Sequence, residues 1–424
     1  MPGMTAIEKI LARNAGLDRV GPGDLAVVKV GCAVLYDNNL IPANWRKLTS
    51  VYDPDRIVVV FDHRVPAKDV ITATAQKTGR EFVAQFGIKR FHDVGPNQGI
   101  CHVLVADHGY AIPGEVLVCG DSHTCSAGVF NCAARGTGSP DMLYAAAKGE
   151  TWFRVGETVR YELEGELQED VSTKDVFLHI ADKFGDHATM NVEYGGPALA
   201  NLSINARRTL STMSAELSAE FATFEPDDVM LDYVRERNPG LEFEAQYSDA
   251  DAAYAAVRTV DLSAIEPQVA LPDSVLNNSQ PVGAVAGTKI DQAFIGSCAN
   301  GTLDDLAVAA KVLKGRQVAD SVRLIVTPGS QNIYRDALRA GYIETLMDAG
   351  AVVTNSTCGA CGGGNLGILA PGESCITAST RNFKGRMGSA EARIFMASPA
   401  TVAASAVEGT IADPREVLAK GAAS

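Results

Sequence analysis

Short β-rich runs recur along this chain and end, one after another, in polar or glycine-containing loops: Leu25 to Val30, Ile57 to Phe61, Glu115 to Cys119, Ala293 to Ile295, Val322 to Val326 and Ala351 to Val353. Helix-like segments lie between many of them, at Asp69 to Phe86, Pro140 to Phe153, Leu303 to Leu313 and Asn332 to Ala340. A strand that reaches its neighbour through a helix comes back parallel to it, so this alternation predicts an α/β chain of open, mostly parallel sheets. At roughly 100–200 residues per domain, 424 residues leave room for about two to four of them.

In such sheets ligands gather outside the carboxyl ends of the strands. Asp62-His63 follows the second run, Gly120-Asp121-Ser122-His123-Thr124 the third, and Cys298 and Cys358 two later ones. The reactive side chains are therefore expected to share one place. Residues from about 158 to 275 differ in texture, with acidic, alanine-rich stretches such as Ala215 to Phe224, and the turn-rich Asn277-Asn278-Ser279-Gln280-Pro281 follows. The expected division is a first domain over 1–158 with the acid–base residues, a second over 159–275, and a third over 276–424 with the cysteines and candidate clamp arginines.

Composition narrows the partners. With 51 acidic against 37 basic side chains the net charge is -14, and no block of more than two consecutive lysines or arginines offers a patch for a phosphate backbone or an anionic bilayer. Nucleic acid and membrane are poor partners for such a chain. The N-terminus lacks the basic-then-apolar order of a secretory signal and reads as an amphipathic helix begun by Thr5. Apolar runs such as Ile57 to Phe61 fall far below the ~18 residues of a membrane span. A cytoplasmic setting is expected. The nine cysteines, an odd number without a signal segment, then read as reduced thiols rather than a disulfide framework.

Three of those cysteines draw attention. Cys358-Gly359-Ala360-Cys361 runs into Gly362-Gly363-Gly364 after one strand, and Cys298 lies in Gly296-Ser297-Cys298-Ala299-Asn300-Gly301 after another. Thiolates are soft ligands suited to zinc or an iron–sulfur cluster, and small neighbours let backbone amides approach the sulfur atoms. Three ligands suit a cluster with one open iron. By spacing alone, a redox pair, half of a zinc site and ordinary thiols stand beside that reading.

An acid–base set accompanies them. Asp62, His63, His102, Asp121, His123 and Glu193 supply acids and bases, while Arg381 and Arg386 supply planar forks matched to carboxylate. Dehydrating a hydroxy-acid needs such a set: a base for a carbon-bound proton, an acid for the departing hydroxyl, and clamps for carboxylates. Taken singly, each residue also has a plainer role, a hydrogen-bonded histidine, a helix cap at Ser122 or Thr124, or a solvated arginine.

Together these segments, with Gly99-Ile100-Cys101-His102, Arg381-Asn382-Phe383-Lys384-Gly385-Arg386-Met387-Gly388 and the stretch Ala397 to Ser405, resemble the aconitase family, and within it the two-subunit isopropylmalate dehydratases. They span nearly the whole chain in the family's order. The resemblance implies three α/β/α domains around a [4Fe-4S] cluster held by Cys298, Cys358 and Cys361. It implies that Asp62-His63 helps protonate the leaving hydroxyl, that Asp121, His123, His102 and Glu193 order water and iron-bound groups, and that Ser122, Arg381 and Arg386 contact the substrate. It also implies a hydro-lyase acting on an alkylmalate, first for leucine biosynthesis and second on citramalate, dimethylmalate, homocitrate or another substituted malate.

In this family the serine that takes the carbon-bound proton lies on a mobile fourth domain, which has no counterpart before Ser424; a separate small subunit is expected to supply it. Four positions depart from the pattern: Leu40, Ala299, Thr302 and Thr380. Thr302-Leu303-Asp304-Asp305 before an apolar helix reads as a capping arrangement. Those departures keep a non-catalytic cluster-binding or regulatory relative in view, and the C-x-x-C pair alone keeps a zinc or thiol-redox protein in view.

Overall fold

A computed structural model describes residues 2–422. The chain divides into two compact units, the first comprising residues up to Gly95, Cys101–Gly165 and His187–Asp261, the second Pro96–Ile100, Glu166–Asp186 and the chain from Leu262 onward.

The first unit holds a five-stranded, wholly parallel sheet in the order Arg90–His92, Ile57–Val60, Cys32–Tyr36, Val116–Cys119, Ala133–Gly136. Every residue of Ile57–Val60 and Val116–Cys119 is buried, as expected for parallel strands covered on both faces. A second parallel sheet runs Ala222–Phe224, Asn191–Gly195, Thr158–Glu164, Ala256–Asp261. The turn Ser122–Phe130 packs directly against this second sheet: a Cβ on Gly128 would stand 1.8 Å from the Ala222 carbonyl oxygen, so only glycine fits there.

The second unit is built on a seven-stranded mixed sheet in the order Ser279–Pro281, Gln268–Ala270, Arg393–Ala397, Ser374–Thr377, Gln292–Ile295, Arg323–Val326, Val352–Val353. The last five are mutually parallel, and Gln268–Ala270 joins antiparallel on both sides. Helices Leu303–Leu313, Tyr342–Asp348 and Pro399–Glu408 bury apolar faces in its core.

The local chemistry is legible at several helix starts. Thr5 and Glu8 close a capping box on helix Ala6–Ala15, and Thr302 and Asp305 do the same on Leu303–Leu313, where the Asp305 carboxylate accepts the Thr302 amide at 2.9 Å. Two expectations need correction. The helix read over Pro140 to Phe153 covers only Ser139–Lys148: Gly149 takes the left-handed conformation, φ 70°, and its amide caps the Ala145 carbonyl. Glu150–Arg154 then forms a strand, with Thr151 and Phe153 inward and Trp152 and Arg154 outward. Its partner is Leu25–Lys29, which pairs with it antiparallel instead of joining a parallel sheet, and the strand absent from the reading, Cys32–Tyr36, is central to that sheet. Among the described residues no helix is long and apolar enough to cross a membrane.

Candidate active site

The three central strands of the five-stranded sheet, Ile57–Val60, Cys32–Tyr36 and Val116–Cys119, end side by side, and each delivers a carboxylate: Asp62, Asp37 and Asp121. Asp62 and Asp37 are almost fully buried. Burying a carboxylate is costly unless its oxygens find donors: both oxygens of Asp62 have partners, while Asp37 is satisfied through Oδ2 and its Oδ1 has no hydrogen-bond partner among the described residues. Asp62 Oδ2 accepts the Cys101 amide at 2.8 Å while Oδ1 lies 2.7 Å from His63 Nδ1. Asp37 Oδ2 accepts the amides of His63 and Arg64 at 3.1 and 2.9 Å. Burial first, and the neighbouring Asp62 charge second, push the Asp37 carboxyl up to about 6. The His63 backbone and ring are thus held from two sides.

Asp121 is the hub of a histidine net. His102 Nε2, on the buried helix Cys101–Asp107, lies 2.8 Å from its Oδ1; the His123 amide donates to the same oxygen at 2.8 Å; and His63 Nε2 lies 3.4 Å from Oδ2. Burial raises the Asp121 carboxyl, but these three histidines outweigh it and hold the group well below the usual carboxylate range. His123 continues the net: its Nε2 lies 3.0 Å from Glu216 Oε1 and its Nδ1 3.4 Å from Asp121 Oδ1. Burial lowers the imidazole, yet the two carboxylates win and raise it above its ordinary value. His123 thus lies between two carboxylates, beside a second histidine on the same Asp121. Ser122, next to Asp121, is exposed and lines a 170 Å³ cavity with Cys125 and Arg135.

Glu193 departs from the expected grouping. It lies inside strand Asn191–Gly195, 1 % exposed, bonded to Arg160 Nη1 at 2.5 Å, Ser248 Oγ at 2.8 Å and Tyr254 Oη at 2.8 Å. Among the described residues, none of these bonds reaches Asp121, His102 or His123. Glu216, which the sequence reading passed over inside an alanine-rich stretch, is the carboxylate that meets His123. The sequence around Glu216 carries no mark of this role, which comes from the packing of turn Ser122–Phe130 on helix Ile204–Met213.

In the second unit the cysteines stand on two glycine-rich turns. Cys298 is in Ser297–Asn300 after strand Gln292–Ile295, while Cys358 precedes the turn Gly359–Gly362 and Cys361 lies within it. The two turns rest on the same side chains: a Cβ on Gly296 would stand 2.9 Å from Phe294 Cζ, and one on Gly359 would stand 3.0 Å from that atom and 2.7 Å from Thr327 Oγ1. Gly359 also has φ 58°, so glycine is needed there for conformation as well as space. The Gln98 side-chain amide, buried, donates to the Ser356 carbonyl just ahead of Cys358.

Cys361 is 4 % exposed, with Thr380 Oγ1 at 3.4 Å and Arg386 Nη2 at 3.6 Å from its sulfur. Burial works against the thiolate, but the Arg386 charge and the Thr380 hydrogen bonds overcome it and bring the thiol down to about 6. Arg386 is itself stacked over Phe383 at 5.5 Å, which fixes its direction, and Arg381 is partly exposed on the same loop. The departures acquire physical roles here: Thr380 donates to Cys361, Thr302 caps a helix, Ala299 is buried in the cysteine turn, and Leu40 is a core residue against helix Val70–Phe86, its Cδ1 2.8 Å from where a Gly79 Cβ would be.

Comparison with known proteins agrees with the motifs. Residues 43–409 match the aconitase family (aconitate hydratase). The chain is 53 % identical over 418 residues to the 3-isopropylmalate dehydratase large subunit of Mycolicibacterium smegmatis, covering 99 % of this chain and 98 % of that one. It is 43 % identical over 428 residues to a probable methanogen homoaconitase large subunit of Methanothermobacter thermautotrophicus, covering 99 % of each. Among solved structures it resembles Thermococcus kodakaraensis aconitase X in its holo-form, with a TM-score of 0.50 and 14 % identity over 91 % of this chain and 93 % of that one, a likeness of fold alone. Matched over most of its length, the chain belongs to the aconitase family.

Proposed function

We propose that this chain is the large subunit of a hydro-lyase that reversibly dehydrates and rehydrates 3-isopropylmalate in leucine biosynthesis. The observation that carries the reading is full-length identity of 53 % to a relative bearing that name, with the thiols and the acid–base set at the motif positions. A second substrate class, homocitrate-like acids, is favoured by the 43 % identical homoaconitase relative.

Such a reaction implies an iron–sulfur cluster, and the donor set fits one. Three cysteines stand on turns that share Phe294 and Thr327, one thiol is held at about 6 by an arginine and a threonine, and glycines keep those turns free of side-chain bulk. No second close cysteine pair of the kind a zinc ribbon needs occurs in the sequence. Cys298, Cys358 and Cys361 would hold a [4Fe-4S] group, which when bound supplies a Lewis-acidic iron for a substrate hydroxyl.

The chain's own residues do the rest. His63, its Nδ1 anchored on Asp62, presents Nε2 as the acid for the departing hydroxyl. The Asp121–His102 and Glu216–His123 pairs fix buried imidazole rings that orient water and hydroxyl oxygens. Arg381 and Arg386 receive a carboxylate, and Ser122 offers a hydroxyl beside the Asp121 hub. Glu193 is the buried partner of Arg160. The large-subunit names of the relatives support a small-subunit partner, which would carry the swivelling domain and the serine that takes the carbon-bound proton. The three-domain division, with breaks near 158 and 275, is supported by one principal sheet in each stretch. A cytoplasmic setting is supported by nine cysteines that are all free thiols.

The test is substrate discrimination by the anaerobically reconstituted pair of subunits. A panel of isopropylmalate, citramalate, dimethylmalate and homocitrate should give the highest kcat/KM for isopropylmalate. A preference for another acid by tenfold or more would overturn the substrate, and no turnover of any acid by brown, four-iron protein would overturn the reaction.

A further inference from the structure

Residues Glu166–Asp186 fall in sequence between strands Thr158–Glu164 and Asn191–Gly195, yet they belong to the second compact unit. Their helix Thr173–Phe184 is fixed at its start: Ser172 and Asp175 close a capping box, and the other Asp175 oxygen accepts the Gln268 amide at 2.9 Å. This pinned first turn carries Lys174, which is 0 % exposed. Its ammonium donates to two successive carbonyls, Ala378 at 3.1 Å and Ser379 at 2.7 Å. Burying an ammonium is costly even when satisfied, and an apolar chain of similar length would fill the space without that cost. What the charge does for its two acceptors therefore matters.

The Ser379 carbonyl and the Thr380 amide belong to one trans peptide, so they point in opposite directions. With the carbonyl held on Lys174, the Thr380 N–H is turned to the far side of the plane, where it and the Thr380 hydroxyl both donate to the Cys361 sulfur. The Ser379 amide donates to Thr377 Oγ1 at 3.0 Å, a bond that lies in the same segment Lys174 holds.

We propose that Lys174 is a positioning residue: it fixes the Ser379–Thr380 peptide plane, and thereby both the donors aimed at Cys361 and the direction in which Arg381 leaves the turn. Its meaning for catalysis rests on the cluster reading above, but the geometry does not, and the test is chosen accordingly.

The experiment is amide hydrogen exchange on the full-length, cluster-free chain, resolved to single residues across 376–384. In Lys174→Met the amides of Ser379, Thr380 and Arg381 should exchange at least tenfold faster, while strands Gln292–Ile295 and Arg323–Val326 keep their protection. Lys174→Arg, which can reach the same carbonyls with a cationic donor, should restore most of it. If the methionine variant does not fold, Lys174→Gln replaces it and should show the same local loss in smaller degree. Unchanged protection at Ser379–Arg381 in whichever variant folds, or protection lost evenly across the unit, overturns the proposal. Failure of the cluster reading would look different: colourless protein with this exchange pattern intact.

Discussion

Glu216→Gln separates a catalytic pairing from a structural one. The substitution keeps shape and one acceptor oxygen at 3.0 Å from His123 Nε2 but removes the charge that helps hold the imidazolium. His123 is almost fully buried and raised above its ordinary value by Asp121 and Glu216 together, against burial. A hydrogen bond to a charged partner contributes about 1.5–3 kcal/mol, which at 1.36 kcal/mol per pK unit corresponds to a fall of roughly one to two units in the His123 pKa.

The sign follows from linkage. A histidine whose folded pKa is raised contributes stability that is fully present below its unfolded value of about 6.5 and is lost as pH rises through the folded pKa. The variant's deficit against wild type should therefore be full below about pH 6.5 and shrink as pH rises through the folded pKa of His123. NMR titration of His123 gives the pKa, urea unfolding at several pH values gives the deficit, and turnover with the small subunit should fall by about 10²-fold. A His123 pKa within 0.3 units of wild type, with a stability deficit independent of pH, would refute the assignment. Glu193→Gln supplies the contrast: Arg160 keeps Glu162 and Glu225 but loses its buried partner, so stability should drop by about 1.5–3 kcal/mol, while the His123 titration stays where it was.

Other expectations are simpler. In Arg386→Met the Cys361 thiol should climb from about 6 toward or above its ordinary range, read in cluster-free protein as an alkaline shift of at least one unit in the pH profile of Cys361 alkylation. Thr302→Ala should remove the cap of helix Leu303–Leu313 and cost about 1 kcal/mol in urea unfolding, with the colour of the holo-protein unchanged, because Thr302 serves a helix and not the site.

Much of this architecture is written locally. Thr5 and Thr302 announce their helices through the residue three positions on, and the apolar run Leu303 to Leu313 matches its helix end to end. The strand-then-acid pattern at Asp62 and Asp121 gives the site's place because the carboxyl ends of parallel strands converge. What escaped depends on long-range partners. Cys32–Tyr36 follows closely on Leu25–Lys29, a run that ends in the sequence reading at Val30, and only pairing tells the ribbon from the central strand. The middle stretch offers Glu193, Glu216, Glu220 and Glu225 with no local mark separating them; Arg160 claims two of these, and the packing of turn Ser122–Phe130 on helix Ile204–Met213 brings Glu216 to His123. Lys174 was invisible for the same reason, since its acceptors lie some two hundred residues away.

The most direct measurement is the iron and acid-labile sulfide content of the anaerobically purified chain, wild type beside the serine variants of Cys298, Cys358 and Cys361. Four irons and four sulfides per wild-type chain, with each variant losing the cluster, is the predicted result. A wild-type chain that takes up zinc alone, or keeps its iron in all three variants, would contradict the account.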